Sequence, residues 1–596
     1  MTPDPVPLSA LLLPAGIGLL VSVPLTFIVG RMAVRLGVVA KPRADRWAGR
    51  PVPMLGGIAI FLATLAGVLF GGPELNLPSA GLLLGGLFLL IAGALDDRFT
   101  FRPQTKLVAQ ILGACVVTGF GVGFSLTPFY SFSVIVSIFW VVAVINAINL
   151  MDNMDGLAPG VSLIAGIFLA IQLANSGIPS SASLAAALVG ALGGFLVFNF
   201  PPARIFMGDA GSLSVGLLLG GMSLSSALVS HQKLGALSVL LGPSLVLAIP
   251  ILDVLLVMIT RLLRGQPVSQ GGRDHSSHRL IKMGLSERKA VLVFYAMAAA
   301  SGVCGLQLAE GIGRLRAVLY VSLSWVPLGL FFAWLARVSV TKETSEPTGR
   351  MGLVVGWIFK RRMMEVLMDL ALAYACFCLA YGLRFDFDLL PKYKDQLAAS
   401  IPWVLGITLA SFHFSGVYSG FWEHYGIRDV IRFGKAAGLA TLCCIALAVG
   451  LFRYEAYPRS VFPLFGLLLF ISAMGVRASF QFFDVLLVEA GPQRAVIVGV
   501  GPSALAAFVY LTAREGRGVV AAFVDPKAQR KARLYGLPVL TLEELARLDG
   551  EMPYDRLVMV DDESYSEFSS AVRIYTARTG KTLLRYESRL GDWSVT

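Results

Sequence analysis

The chain has 596 residues, of which 56% are hydrophobic and 14% charged, and its mean hydropathy is +0.74. That is too apolar for a soluble globular protein and points to a polytopic membrane protein. The formal net charge of +12 would suit nucleic acid, yet the basic residues alternate between loops, which is the charge pattern of a membrane protein and excludes a nucleic-acid partner.

Spanning takes about 20 apolar residues, and about fifteen stretches qualify. They are centred near residues 20, 63, 87, 114, 138, 167, 190, 221, 248, 300, 326, 373, 408, 444 and 468. Their runs are continuous and not alternating, so helices are predicted and not a barrel. No cleavable signal peptide is expected, because no basic residue precedes the first apolar stretch, near Leu8, and Arg31 and Arg35 follow it. Basic residues gather after span one (Arg31, Arg35, Lys41, Arg43, Arg46, Arg50), span three (Arg98, Arg102, Lys106) and span nine (Arg261, Arg264, Arg273, Arg279, Lys282, Arg288, Lys289). The loop from Gly72 to Ser79 has none. The positive-inside rule then places the amino terminus outside and these loops in the cytoplasm. All six cysteines (Cys115, Cys304, Cys376, Cys378, Cys443, Cys444) lie in apolar spans and read as packing residues.

The first cytoplasmic loop ends Pro53-Met54-Leu55-Gly56-Gly57. Its glycines permit close backbone contact, with a ligand or with a neighbouring helix. Span three ends Asp96-Asp97, two adjacent carboxylates that repel unless a cation joins them; a divalent metal or a salt-bridged loop would do so. Lys106 opens span four. Residues 146 to 157 read Asn-Ala-Ile-Asn-Leu-Met-Asp-Asn-Met-Asp-Gly-Leu and follow an apolar run. Amides and carboxylates at membrane depth mark a functional site by default, though a polar loop after a helix is the plainer reading. Asn146, Asn149 and Asn153 fall at helical spacing, Asp152 and Asp155 are three apart, and Gly156 offers a helix stop. This segment suits a magnesium ion or a phosphorylated, hydroxyl-rich ligand.

Span seven ends at Asn199, before Phe206-Met207-Gly208-Asp209-Ala210-Gly211-Ser212, where a new helix would offer its first amides to an anion. Phe206 is a candidate for stacking on a base or for core packing. Asp253 is a further acid, inside span nine. Arg273-Asp274-His275-Ser276-Ser277-His278-Arg279 pairs histidines with arginines; lacking a nearby cysteine, it suits phosphate better than zinc. By the expected topology all these segments open on the cytoplasmic side.

In these five motifs and their order, residues 1 to 338 resemble the polyprenyl-phosphate N-acetylhexosamine-1-phosphate transferases. The thin histidine box points to the branch that includes the enterobacterial common antigen and teichoic acid initiators. Asn153 departs from the pattern, where glycine is more usual. The resemblance implies an eleven-helix domain that moves N-acetylhexosamine 1-phosphate from a UDP-sugar to polyprenyl phosphate, releasing UMP. It implies magnesium, or manganese in its place, held by Asp97 and Asp209. Asp96 would sit by the lipid phosphate, with Lys106, Asn149 and Asp152 lining the site. Phe206 would pack on uracil, and His275, His278 and Arg279 would hold the diphosphate. Asn146, Asp155 and Asn199 complete the expected substrate-binding set.

Residues 339–362 read as a polar linker and 363–480 as four more spans, giving an eleven-plus-four arrangement. Residues 486–596 are soluble in composition and predict a cytoplasmic Rossmann-like α/β domain. There Ala495-Val496-Ile497-Val498 precedes Gly499-Val500-Gly501-Pro502, and a second strand ends at Asp525. Gly499, Gly501 and Asp525 are its candidate nucleotide-binding residues. From about residue 350 to 590 the chain resembles the amino-terminal part of membrane-bound nucleotide-sugar 4,6-dehydratases, with Gly416-Val417-Tyr418 and Trp422 as its matches. After residue 490 no tyrosine has a lysine four places on. No dehydratase activity is therefore expected, and a docking or regulatory role is. The competing classes are a lipid-linked sugar transporter or flippase, since broken helices and buried acids also mark transporters, and a nucleotide-sensing membrane scaffold. A homodimer or other polysaccharide-assembly enzymes are the expected protein partners.

Overall fold

The computed structural model describes residues 4–40, 52–99, 101–124, 130–234, 236–263, 274–309, 314–336, 357–385, 390–419, 427–452, 457–487, 495–515, 519–526, 528, 532–535, 537–548, 554–560, 568–579 and 581–586. The expected features at Arg50, Arg264, Arg273 and Trp422 lie outside the described residues. So do the basic residues from Lys41 to Arg46 and most of the expected linker. The chain divides into two compact units, Met1–Ile281 with Ser286–Phe483, and Lys282–Leu285 with Asp484–Thr596.

The first unit is helical, as it must be where no water can satisfy backbone groups. Its first half comprises α1 (Leu12–Arg35), α2 (Gly56–Gly71), α3 (Leu77–Phe99), α4 (Pro103–Gly119), α5 (Tyr130–Met151), α6 (Leu157–Asn175), α7 (Pro179–Asn199) and α8 (Gly208–Leu234). Then come α9 (Ala236–Val246), α10 (Ala248–Leu263), the short α11 (Ser276–Lys282), α12 (Glu287–Ala309) and α13 (Arg314–Ala336). The second half adds α14 (Trp357–Arg384), α15 (Pro391–Phe414), α16 (Ile427–Phe452) and α17 (Val461–Leu487). All fifteen centres read from hydropathy fall within these helices. Among the described residues nine helices have the length and composition to cross a membrane: α1, α3, α5, α6, α7, α12, α15, α16 and α17, while α2 is apolar but shorter. The protein is a multi-pass membrane protein. The linker expected at 339–362 ends early, because α14 begins at Trp357. Its Lys360, Arg361 and Arg362 are polar but good helix formers, so polarity misled the boundary.

Helices meet where side chains are small. A Cβ added to Gly18 would lie 2.4 Å from the Ala187 carbonyl oxygen, and one on Gly190 1.9 Å from that of Ala15, so α1 and α7 cross in backbone contact. In the second half Phe377, Tyr381, Phe412, Phe462 and Phe465 form a buried aromatic core. There Arg477 of α17 makes a bidentate pair with Asp369 of α14 at 2.8 and 2.9 Å, with its guanidinium 4.3 Å from the Phe433 ring centroid. All six cysteines are free.

The second unit is a sheet. Its strands are β3 (Ala495–Val498), β4 (Val520–Val524), β5 (Arg533–Leu534), β6 (Leu537–Leu540), β7 (Arg556–Val560) and β8 (Thr582–Tyr586); β1 (Val39–Ala40) and β2 (Val52–Pro53) form a separate antiparallel pair in the first unit. The order is β5-β6-β4-β3-β7-β8, parallel except for the edge strand β5. Residues alternate to two faces. One buries Ile497, Phe523 and Val558 with Ala504 and Leu511 of α18 (Pro502–Glu515). The other buries Val496, Val524 and Leu557 with Leu545 of α19 (Leu542–Arg547) and Val572 of α20 (Phe568–Thr579).

Candidate active site

Three helices bring their ends together around Asp209. The Gly56 and Gly57 amides donate to the Phe206 and Met207 carbonyls (both 3.0 Å), and the Phe206 amide to Pro53 O (2.9 Å), so the start of α2 lies on the segment leading into α8. Leu55 accepts a left-handed φ of 74° to make this turn. A Cβ on Gly57 would fall 2.1 Å from the Gly211 nitrogen, and one on Gly93 of α3 2.5 Å from that of Ala210. Only glycine lets α2 and α3 approach α8 this closely, which explains the paired glycines as helix packing.

That approach puts Asp97 over the start of α8. Its carboxylate accepts the Asp209 amide at 2.9 Å and the Ala210 amide at 3.2 Å. The anion held by these first amides is therefore a side chain of this chain. Asp209 is the hub: its Oδ2 takes Lys106 Nζ at 2.6 Å and its Oδ1 takes Asn149 Nδ2 at 2.6 Å. Lys106 also reaches Asp96 Oδ2 at 2.5 Å, and Asp96 accepts the Phe101 amide. The cation bridging carboxylates is thus Lys106, and it joins Asp96 to Asp209 where a link between Asp96 and Asp97 was expected. Three carboxylates against one lysine leave the cluster negative, suited to a cation accompanying a diphosphate.

Asn149 donates also to Ser212 Oγ (2.7 Å), and Asn146, a turn earlier, exchanges bonds with Gln110 of α4 at 2.7 and 3.3 Å. Ser212 and Gln110 were missed, although a glutamine inside an apolar span is itself a signal. Asp152 follows the last residue of α5, half-buried, its amide bonded back to Ile148 O. Gly156 does not stop α5, which ends at Met151; with φ 74° it is the N-cap of α6. A left-handed glycine serves a helix start as readily as a helix end, and spacing cannot distinguish them.

Asp155 and Asn199 brace the site's loop. Asp155 Oδ2 accepts the Ala203 amide (2.7 Å); Asn199, 2% exposed, takes the Gly156 amide (2.9 Å) and donates to Ile205 O (2.8 Å). Tyr295 Oη donates to Gly156 O at 2.6 Å, a contact nothing in the sequence signalled. Phe206, half-buried, lies two residues before Gly208.

The histidine box is arranged differently from expectation. His275 Nδ1 meets Asp253 at 2.9 Å, and Asp253 also accepts the Ser276 amide and hydroxyl, so the acid of span nine caps α11. His278 is buried with its ring centroid 6.3 Å from that of His275. Arg279, fully buried, donates to the carbonyls of Asp274, Leu335 and Ala336 and to Thr260 Oγ1. It ties α11 to α13 in place of a diphosphate. A buried guanidinium needs its donors satisfied, and the helix-end carbonyls of α13 supply this. Burial works to raise the Asp274 carboxyl, but Arg261 at 2.6 and 2.7 Å outweighs it and holds the group below the usual carboxylate range. Ser277 Oγ donates to Asn153 Oδ1 at 2.7 Å, linking the box to the 152–156 turn.

In the second unit Gly499 has φ 126°, its amide bonded to Val524 O, and Gly501 precedes α18; Asp525, buried, follows the last residue of β4. These three lie at the carboxyl ends of β3 and β4, where open α/β sheets present ligands.

The structure is thus a multi-pass helical membrane protein that gathers carboxylates, a lysine and amides at one end of its helices. Residues 79–227 match the glycosyl transferase family 4 model, and the chain belongs to that family. It is 33% identical over 288 residues to the probable undecaprenyl-phosphate N-acetylglucosaminyl 1-phosphate transferase of Bacillus subtilis, covering 47% of this chain and 79% of that one. The decaprenyl-phosphate N-acetylglucosaminephosphotransferase of Mycolicibacterium smegmatis is 35% identical over 301 residues (44% and 73%). The undecaprenyl-phosphate alpha-N-acetylglucosaminyl 1-phosphate transferase of Escherichia coli is 28% identical over 325 residues (51% and 83%).

Proposed function

We propose that the chain transfers N-acetylhexosamine 1-phosphate from a UDP-sugar to polyprenyl phosphate. The observation that carries this is the Asp209 hub, where Lys106 and Asn149 approach one carboxylate from α4 and α5 while Asp97 caps the same helix. Family membership supports it. An oxygen of the lipid phosphate attacks the sugar-bearing phosphorus, the bond from that phosphorus to the bridging oxygen breaks, and UMP leaves with both bonding electrons. A phosphate monoester with a second pKa near 6 is largely dianionic at neutral pH, so no strong base is required and direct attack is favoured over an aspartyl intermediate. Lys106 neutralises phosphate oxygens and Asn149 orients them.

Among the described residues no three His, Cys, Asp or Glu side chains close into a metal cage. Magnesium is commonly carried by one or two carboxylates plus substrate phosphates, so Asp97 and Asp209 fit it, or manganese. When bound it supplies charge neutralisation at the diphosphate. The reading places the enzyme in a bacterial inner membrane, with the site and the second unit cytoplasmic, at the first membrane step of a cell-surface polysaccharide. Residues 339–596, like part of a nucleotide-sugar dehydratase, serve docking or regulation, with a nucleotide as the ligand of Gly499, Gly501 and Asp525.

The test is UMP release by the purified full chain given polyprenyl phosphate, magnesium and a panel of UDP-sugars. Asp97→Asn abolishes turnover and a chelator suppresses it reversibly. No UMP from any UDP-N-acetylhexosamine would refute the assignment, and a phosphorylated enzyme trapped from UDP-sugar alone would refute direct attack.

A further inference from the structure

One stripe of α1, the last turn of α7 and the loop after it form a concavity beside the site. Phe27, Arg31, Val34 and Arg35 recur at helical spacing on α1, and Phe198, Arg204 and Ile205 face them across a groove of about 620 Å³. Among the described residues three arginines line it and no acid does. Arg31 lies over the Phe27 ring at 4.2 Å. Among the described residues no carboxylate pairs with Arg31, Arg35 or Arg204. Phe27 and Val34 are 49% and 58% exposed on a helix apolar enough to cross a membrane. Exposed apolar side chains beside guanidinium groups that meet no carboxylate among the described residues match a molecule with an anionic head and an apolar tail.

We propose that this groove binds an anionic phospholipid of the surrounding bilayer, its phosphodiester held by Arg31, Arg35 and Arg204 and its first methylenes by Phe27, Val34 and Phe198. Guanidinium groups suit this because they match phosphate oxygens in pairs, and basic pockets between membrane helices take anionic headgroups. Topology alone explains arginines following α1, but not Arg204 meeting them from 169 residues beyond Arg35. The acceptor lipid is the less favoured occupant: among the described residues none that lines the groove bonds to Asp96, Asp97, Lys106 or Asp209. The groove nevertheless abuts the site. Its Pro53 carbonyl accepts the Phe206 amide, and its Ile205 carbonyl accepts Asn199. A seated headgroup would therefore steady the segment that leads through Gly208 to Asp209, making this a regulatory lipid site.

The experiment uses the full chain in nanodiscs of phosphatidylcholine, alone or mixed evenly with phosphatidylglycerol. Retained lipid is read by native mass spectrometry and stability by thermal unfolding. The wild type is expected to retain phosphatidylglycerol preferentially and to unfold at a higher temperature with it. Arg31→Gln and Arg204→Gln each weaken retention about fivefold, the worth of one basic residue at an anionic surface. Arg31→Lys and Arg204→Lys keep most of it, and Arg102→Gln, an exposed arginine off the groove, keeps all. Equal retention of both lipids by the wild type overturns the proposal without any variant. Retention unchanged in the glutamine variants, or reduced as much by Arg102→Gln, overturns it too. A raised KM for polyprenyl phosphate with phosphatidylglycerol binding intact would assign the groove to the acceptor instead.

Discussion

Replacing Lys106 with methionine tests the centre of the site. Its ammonium is 2.5 Å from Asp96 and 2.6 Å from Asp209, with 3% of the Asp96 side chain and 27% of the other two exposed. Stripping one partner from a fully buried pair costs about 3–5 kcal/mol. Solvent reaches Lys106 and Asp209, so screening should bring the folding cost to about 2 kcal/mol. Catalysis loses more. A positioned donor at a developing charge is worth about 10²–10³ in kcat, or about 3–4 kcal/mol. Lys106→Met should therefore be folded at a temperature where it is nearly inactive. UMP release at saturating substrates, alongside thermal unfolding in the same detergent, separates the two effects. Lys106→Met with Asp209→Asn should lose little more than either change alone, because the groups act as a unit. A folded Lys106→Met enzyme within about threefold of wild-type kcat would refute the reasoning, since under 1 kcal/mol would then depend on the bridge.

Gly208→Ala should lower kcat at least tenfold, because the residue has φ 71° and its Cβ would sit 2.6 Å from Asp97 Oδ2; the left-handed backbone adds about 1–2 kcal/mol of instability, read by thermal unfolding. For Asp369 and Arg477, either single leucine substitution should cost about 3–5 kcal/mol, and the double substitution less than the worse single, which a thermal double-mutant cycle measures. Arg279→Met should lower the unfolding midpoint and leave the KM for UDP-sugar unchanged, because the carbonyls of Leu335 and Ala336 lose their donor; a tenfold rise in KM at unchanged stability would return Arg279 to the diphosphate. The Arg261–Asp274 pair carries a sign with pH. Asp274 has its native pKa depressed, so its contribution is present above the ordinary carboxylate value of about 4 and lost as acid reaches the depressed one. Arg261→Met should remove that part of the acid sensitivity of unfolding.

Much of the polar cluster around Asp209 was legible because chemistry that is expensive in a membrane stands out. Asp96, Asp97, Asn149 and Asp209 could be named from apolar surroundings that give a carboxylate or amide no other reason to be there. Asn199 and Asp155 were conspicuous for the same reason and Arg279 for its place among paired histidines and arginines, yet the structure gives all three hydrogen bonds to loop or helix-end backbone. Cost in a membrane marks a polar group as needing partners. It does not say whether the partner is substrate or main chain.

What the sequence by itself determined is local: where helices lie, since apolar length and continuity decide that, and where strand, glycine turn and helix alternate after residue 495. Tertiary structure decided which of these ends meet. Lys106 and Asp209 are 103 residues apart and Asp97 and the Asp209 amide 112, separations over which no periodicity carries information. Their meeting depends on Gly57, Gly93 and Gly211 letting three helices touch, and backbone contact of that kind is a property of the packed molecule.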